Sequence, residues 1–323
     1  MVSIPRYQVS DLGEAEDKRE DTMNRTAAAI SAQLPRRLRI NAGYLFVAPA
    51  VLLIFLLAIY PTFRVIHLSL LETNRRTGEI AFVGFANYAR ILTDPVFHKA
   101  FKQTMIFSVF SSVGHILLGL ILALIMNSNL NRRVLSTCRA LILLPWALSP
   151  IVVAIIAQLW AYPPISPVAK ILAALGSTAE FAPLASPRTA LWSLTAINVW
   201  QFTPFYMLMI LAGLQSLDPE LIDAAKVDGA TALQRIFYVI IPHIREQLLT
   251  LSLFDLVTTA AYFDLIWVTT QGGPVRSTEV LATYTYRRAF ANMDWNVASA
   301  VGVILLLLCI GIAALVVVQM QRD

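Results

Sequence analysis

Residues 295–321 read WNVASAVGVILLLLCIGIAALVVVQMQ, and no charged residue interrupts them between Asp294 and Arg322. An α-helix needs about 20 apolar residues to cross the hydrocarbon core of a bilayer. Within such a helix every backbone polar group can be satisfied without water. The stretch therefore predicts a membrane-spanning helix.

Five similar runs precede it, each bounded by charged residues. Together they predict an all-α, polytopic membrane protein with six transmembrane helices. Strands of a membrane barrel would instead show shorter segments of alternating polarity. The predicted spans are 43–66, 104–127, 139–162, 189–213, 246–270 and 295–319.

Composition supports the same class. Hydrophobic residues make up 57% of the chain and charged residues only 14%, whereas soluble domains carry about 25% charged residues. The net charge is +5, and many basic residues flank the apolar runs, which favours lipid headgroups over nucleic acid as their partners. Cys138 and Cys309 are too far apart in sequence to indicate a disulfide framework or a zinc site.

Residues 1–39 are polar and rich in both charges. They predict a cytoplasmic leader that is partly disordered or lies at the membrane interface. With six spans, the segments on the side of the N-terminus hold a slight excess of Lys and Arg. The positive-inside rule then places both termini in the cytoplasm.

The inner loop at 217–242 differs from an ordinary connection. Asp218 followed by Pro219 is typical of a helix start, and Asp228 followed by Gly229 is typical of a turn or helix end. Thr231 is placed to begin a second helix. The loop is therefore predicted to form a helix–turn–helix elbow along the cytoplasmic membrane surface.

This loop resembles the signature loop of binding-protein-dependent ABC importer permeases, where Glu-Ala-Ala is followed by Asp-Gly-Ala and a distal Pro. Asp223 stands where the family has Glu, so the carboxylate is kept on a shorter side chain. Further segments resemble the carbohydrate branch of that family: 82–88, 144–146, 203–205, 211–214, 263–266 and 270–274. The ATPase-coupling residues implied by the resemblance are Asp223, Ala224, Ala225, Asp228, Gly229, Ala230, Phe237 and Pro242.

The resemblance implies a permease subunit of the maltose or glycerol-phosphate type in a bacterial cytoplasmic membrane. Its partners would be a second permease subunit, two ATP-binding-cassette ATPases and an extracytoplasmic solute-binding protein. No glycine in the chain is followed by lysine, so the chain lacks the Gly-Lys ending of a phosphate-binding loop. ATP and Mg²⁺ are therefore expected on the ATPase subunits, with no cofactor, metal or catalytic residue in this chain.

Recognition of a sugar needs aromatic faces together with hydroxyl and amide groups. Helical spacing places four polar residues of the fifth span on one face, which either lines the solute pathway or hydrogen-bonds to another helix. Asp264 is expected either to face the pathway or to cap backbone near the outer end. The pathway candidates are Asn198, Gln201, Tyr206, Asp255, Thr258, Thr259, Tyr262 and Asp264.

Two other interpretations remain open at the level of sequence. An ion-coupled secondary transporter would use charges near the middle of the membrane, for which Asp255 is the candidate. A membrane scaffold without transport activity is the second alternative. His115 stands alone in the second apolar run and is expected to be a hydrogen-bonded core residue rather than a metal ligand.

Overall fold

The computed structural model describes residues 22–23, 42–74, 77–128, 131–162, 164–175 and 181–322. The predicted leader at 1–39 lies outside the described residues, apart from 22–23. The chain divides into two units, Met1–Arg64 and Val65–Asp323. In the first unit, the apolar side chains described between Tyr44 and Phe63 are exposed, as expected for a helix that faces lipid.

The described residues form fifteen α-helices, three π-helical turns and one two-stranded antiparallel sheet. The first half comprises α1 (Ala42–Ile54), a π turn (Phe55–Ile59), α2 (Tyr60–Ser69), β1 (Leu71–Thr73), β2 (Ile80–Phe82), α3 (Ala86–Leu92), α4 (Pro95–Met126), α5 (Arg132–Ala147), α6 (Pro150–Ala161) and α7 (Pro167–Ala174). The second half comprises α8 (Ala190–Gln215), α9 (Pro219–Val227), α10 (Ala232–Arg235), a π turn (Ile236–Ile240), α11 (Ile241–His243), α12 (Arg245–Ala260), α13 (Asp264–Thr270), α14 (Leu281–Tyr286), a π turn (Arg287–Ala291) and α15 (Trp295–Arg322).

The prediction of an all-α membrane protein is confirmed. Helices dominate the described residues. Within the described ranges, five helical segments are long and apolar enough to cross a membrane, and a bent helix pair makes a sixth span if it is counted as one. The five are Phe46–Ser69, Pro95–Met126, Ala190–Gln215, Arg245–Thr270 and Trp295–Gln319.

The third predicted span, 139–162, is not one straight helix. α5 and α6 meet at an angle of 93°, and Leu148 and Ser149 between them have extended backbone. A proline disfavours the helical conformation of the residue before it, and Ser149, which precedes Pro150, is extended. Pro150 then occupies the first turn of α6, where its missing N–H costs nothing.

Two further spans differ from their predicted bounds. The second begins at Pro95 instead of 104, because the Asp94 side chain accepts a hydrogen bond from the Val96 amide and caps α4. Lys99 and Lys102 are therefore helical, although their charge placed them outside the apolar run. The fifth is interrupted between α12 and α13, and Tyr262 lies in this break.

The centre of the second unit is the packing of α4 on α8, the most extensive contact between two elements. Two glycines of α4 permit this close approach. A Cβ at Gly119 would lie 3.0 Å from the Tyr206 Cβ and 3.2 Å from the Met207 backbone nitrogen. A Cβ at Gly114 would lie 2.6 Å from a Val199 methyl group. Small residues at such contacts let membrane helices approach at backbone distance.

The end of the bundle that carries the β1–β2 hairpin is held by a polar cluster around Asp94. Tyr284 on α14 donates a hydrogen bond of 2.7 Å to the Asp94 carboxylate, and Arg288 forms an ion pair with the same oxygen. Burial opposes ionisation of this carboxyl, but hydrogen bonds from Tyr284, the Val96 amide and Arg288 outweigh it and hold the Asp94 pKa below 3.8. The cluster therefore ties the start of α4 to the segment between α13 and α15.

Replacing Gly119 with valine tests the contact between α4 and α8. The added branch meets backbone that cannot move aside, so we expect a lower thermal unfolding midpoint in detergent, with a cost of about 1–3 kcal/mol for overpacking. Gly311→Val is the matched control, because nothing lies within 4 Å of a Cβ at Gly311. Equal unfolding midpoints for the two variants would contradict the packing described.

The Asp94 cluster predicts a difference between Asp94→Asn and Asp94→Ala. Asparagine keeps the helix cap and loses the charge, whereas alanine loses both, so alanine should cost about 1 kcal/mol more. Because the folded state lowers the Asp94 pKa, its contribution is complete above the ordinary value of 3.8 and is lost as the pH falls further. Thermal unfolding measured against pH should show this decline in the wild type and not in Asp94→Asn.

Candidate functional site

A cavity of about 270 Å³ lies where α4, α5, α8 and α12 meet. This volume is slightly below the range of about 300–1,000 Å³ that is typical of small-molecule sites. Six aromatic residues line it: Trp146, Phe202, Phe205, Tyr206, Phe254 and Tyr262. Five polar residues line it as well: His115, Asn198, Asp255, Thr258 and Thr259.

Helical spacing explains how the sequence assembles this wall. On α8, Asn198, Phe202 and Tyr206 recur every four residues and so share one face. On α12, Asp255, Thr258 and Thr259 share another face, and Tyr262 follows where the helix breaks. The interruption in the fifth span thus places an aromatic ring at the end of a polar stripe.

His115 is the hydrogen-bonded centre of the cavity wall. It is 0% exposed and Asp255 is 1% exposed. The His115 Nδ1 lies 2.8 Å from the Asp255 carboxylate on α12, and the Nε2 lies 3.1 Å from the Asn198 carbonyl oxygen on α8. The imidazole also stacks on the Tyr206 ring, with centroids 5.0 Å apart. One side chain therefore joins three helices.

The partners of His115 limit the charge that this part of the wall presents. The Asp255 carboxylate lies against one ring nitrogen, and the Asn198 carbonyl oxygen lies against the other. A positive charge on the imidazole would be compensated by the carboxylate, so the pair offers no unpaired cation.

Two buried polar groups of the wall have no such partner. Neither amide atom of Asn198, which is 0% exposed, has a hydrogen-bond partner among the described residues, and the same holds for the Tyr262 hydroxyl. The two groups are neighbours, but they are not in hydrogen-bonding geometry. Because unpaired polar groups are costly away from water, they are well placed to bind a polar solute.

The loop predicted at 217–242 is a helical elbow. Asp218 caps α9 by accepting from the Glu220 amide at 3.0 Å, and Pro219 lies in the first turn. Gly229 ends the helix with a φ of 80°, a conformation that glycine adopts without strain. Thr231 and Gln234 form a reciprocal cap at the start of α10. The start, turn and second helix predicted from the sequence are confirmed.

The elbow exposes an apolar surface. Val227 is 88% exposed, and Leu221, Phe237 and Tyr238 are also exposed. A cleft of about 300 Å³ lies beside them. The residues of this coupling cleft are Asp228, Gly229, Ala230, Gln234, Tyr238 and Val239. Exposed large apolar residues grouped around a cleft are typical of a protein-binding surface.

Residues 115–322 match the family described as binding-protein-dependent transport system inner membrane component. This match covers more than half of the chain and includes both the cavity wall and the elbow. The chain belongs to this family. It is a permease component, and it is an inner-membrane protein.

Related proteins align with this chain over nearly their whole length. A probable ABC transporter permease of Bacillus subtilis is 30% identical over 84% of this chain and 92% of its own. The trehalose/maltose transport system permease of Thermococcus litoralis is 30% identical over 87% and 95%. The sulfoquinovosyl glycerol transport system permease of Agrobacterium fabrum is 30% identical over 87% and 93%.

Solved structures show the same fold. A bacterial ABC transporter that imports the acidic polysaccharide alginate superposes with a TM-score of 0.76 at 22% identity, covering 86% of this chain and 94% of that one. This permease therefore has the bundle architecture of known ABC importers.

The structure brings most predicted pathway residues of the permease together. The six that line the cavity are Asn198, Tyr206, Asp255, Thr258, Thr259 and Tyr262. Of the two interpretations of the polar stripe, hydrogen bonding to another helix applies to Asp255, which bonds across to α4. The Thr258 and Thr259 hydroxyls donate to carbonyls of their own helix.

Gln201 and Asp264 do not line the cavity. Gln201 is buried and donates from Nε2 to the Leu148 carbonyl at 3.2 Å, so it braces the bend between α5 and α6. Asp264 is exposed in the first turn of α13, where a carboxylate interacts favourably with the helix dipole.

Sequence reasoning did not select five of the lining residues: His115, Trp146, Phe202, Phe205 and Phe254. His115 is hydrogen-bonded in the core, as expected, and no group of three metal-ligating side chains occurs in the part of the chain that the structure describes. Its partner Asp255 is 140 residues away. The spacing of Phe202 between Asn198 and Tyr206 offered a signal in the sequence, and Trp146 and Phe205 lie in segments that resemble the family.

Removing Asp255 should destabilise the permease strongly. In Asp255→Leu the buried His115 keeps its donor capacity and loses its partner, which typically costs about 3–5 kcal/mol. Asp255→Asn retains an acceptor for His115 and should cost less. Asp264→Leu, the control in the same span, should change the unfolding midpoint little. Thermal unfolding in detergent checks this order, and a tolerated Asp255→Leu would contradict it.

Proposed function

We propose that the chain forms half of the pathway by which an ABC importer moves a sugar or oligosaccharide across the cytoplasmic membrane. The observation that carries the proposal is the cavity wall, where aromatic faces alternate with unpaired amide and hydroxyl groups. Aromatic rings cover the apolar face of a pyranose, while Asn198 and Tyr262 bind its hydroxyl groups.

The names of the relatives support a sugar-like cargo. Besides the trehalose/maltose and sulfoquinovosyl glycerol permeases, they include a trehalose permease of Mycobacterium tuberculosis and an sn-glycerol-3-phosphate permease of Pectobacterium atrosepticum. One alginate transporter structure contains a periplasmic protein with a bound alginate pentasaccharide. By analogy, an extracytoplasmic solute-binding protein delivers the cargo to this chain.

Energy for transport comes from outside the chain. Two ATPase subunits, which hold ATP and Mg²⁺, bind the elbows of this chain and of a second permease subunit. The exposed apolar residues of the elbow and the adjacent coupling cleft fit that role. Asp223, which replaces the family Glu, bonds to Lys226 at 2.7 Å with both side chains largely exposed. Its carboxylate is therefore free to exchange Lys226 for a basic residue of the ATPase at little cost.

The proposed mechanism is alternating access. Closure of the ATPases around ATP moves the elbows, and the helices rock between outward-open and inward-open states around the cavity. In this proposed arrangement, the elbow and both termini lie in the cytoplasm. Membership of the family argues against the two alternative functions, an ion-coupled carrier and a membrane scaffold. Neither alternative accounts for the elbow.

Gly229→Trp tests the docking role of the elbow. Nothing lies within 4 Å of a Cβ at this position, so the indole projects from the surface and blocks a partner. Within the permease, the substitution adds the backbone strain of a side chain at positive φ. We expect ATP-dependent uptake to fall roughly tenfold or more, as for a docking loss above 1.4 kcal/mol. Copurification of the ATPase should weaken, while membrane insertion is unchanged.

Gly229→Ala is the matched control, because it carries the same backbone strain at positive φ without the bulk. It should retain most of the uptake. If Gly229→Trp transports as well as Gly229→Ala, the elbow does not bind the ATPase.

A further inference from the structure

The cavity wall contains one ionisable pair and no Lys or Arg side chain. The other polar groups of the wall are uncharged donors and acceptors of hydrogen bonds. Named relatives carry solutes of both kinds, since trehalose is uncharged whereas glycerol 3-phosphate is an anion. The charge of the wall therefore bears on which kind this chain accepts.

The geometry of His115 and Asp255 leaves no unpaired cation in the wall. The His115 Nδ1 lies 2.8 Å from the Asp255 carboxylate, and the Nε2 lies 3.1 Å from the Asn198 carbonyl oxygen. A positive charge on the imidazole would therefore be compensated by the carboxylate beside it. Both partners are nearly inaccessible, so neither turns toward a solute without breaking a buried bond.

An anion would find no counter-charge in this wall. Transfer of an unpaired carboxylate or phosphate from water into a partly apolar site is unfavourable unless a cation or several donors meet it. Asn198 supplies two N–H bonds and Tyr262 one O–H bond, which suit the hydroxyl groups of a sugar. Uncharged groups of this kind do not neutralise a full negative charge.

We infer that the cavity selects uncharged polyhydroxylated solutes over anionic ones, and that the unpaired Asn198 amide is the side chain that binds their hydroxyl groups. This inference rests on the proposed function and specifies its cargo as neutral sugars. Relatives that carry anionic cargo would then need a cation in the corresponding wall or in the second permease subunit.

Fluorescence of Trp146, which lines the cavity, provides a direct measurement. The assembled complex of both permeases and the ATPases is titrated without the binding protein, so that only the membrane pathway selects. The neutral probes are methyl glucoside, maltose and trehalose, and the anionic probes are methyl glucuronide and glycerol 3-phosphate at matched ionic strength. The signal is the emission change that Trp146→Phe abolishes, since the chain holds six tryptophans.

At least one neutral probe should bind tenfold or more tightly than either anion. Methyl glucoside and methyl glucuronide form the sharpest comparison, because they differ only at carbon 6. Equal or tighter binding of an anion would overturn the inference and leave the proposed sugar pathway intact. Absence of a Trp146 response to every probe would instead contradict the proposed function itself.

Two pairs of variants separate the roles of charge and hydrogen bonding. Asn198→Leu should weaken binding of the neutral probe at least tenfold. Thr195→Val on the same helix should not weaken it, since Thr195 lies outside the lining and its hydroxyl bonds to its own helix.

Thr258→Lys adds a cation to the wall and should improve glycerol 3-phosphate binding at least tenfold. Thr258→Met has similar length without the charge and should not. Unchanged anion binding in Thr258→Lys would contradict the role assigned to charge.

Discussion

The buried hydrogen bonds of His115 are the constraint on which the rest of the bundle depends. In a membrane, the hydrophobic effect does not hold helices together, so packing and polar contacts must do so. His115 supplies a polar contact to α8 and to α12 at once. It reaches both because Gly114 and Gly119, on either side of it in α4, allow α8 to approach at backbone distance. The close packing of α4 on α8 therefore allows the hydrogen bonds of His115 to form.

The same network separates a structural role from the proposed binding role within a single wall. Asp255 and His115 satisfy each other and are closed to solvent, whereas Asn198 uses only its backbone carbonyl in the network and leaves its amide unpaired. The first pair fixes the positions of three helices. The unpaired amide then has a defined place beside the aromatic rings, as a preorganised binding group requires.

The sequence predicted the spans well where apolar runs are continuous, because insertion into lipid depends on composition and length. It failed where local backbone chemistry decides, as at Ser149, where Pro150 turns the third span through 93°, and at Asp94, which starts α4 in a charged segment. The elbow was predicted in detail because its caps lie within a few residues of one another. The pair of His115 and Asp255 was not, since no pattern in one sequence links residues 140 positions apart.

The connection between elbow and cavity follows from the continuity of α12. This helix begins at Arg245, one residue after the end of α11, and carries Asp255 ten residues further on, which is about 15 Å along the axis. A helix is stiff along its length, so in the proposed mechanism a displacement that the elbow passes to the start of α12 moves Asp255 with it. Because Asp255 is bonded to His115 on α4, the displacement must either carry α4 along or break a buried bond. α4 packs in turn on α8 at backbone distance through Gly119. In the proposed mechanism, force applied at the elbow therefore moves α4, α8 and α12, three of the four helices that form the cavity wall, as one body.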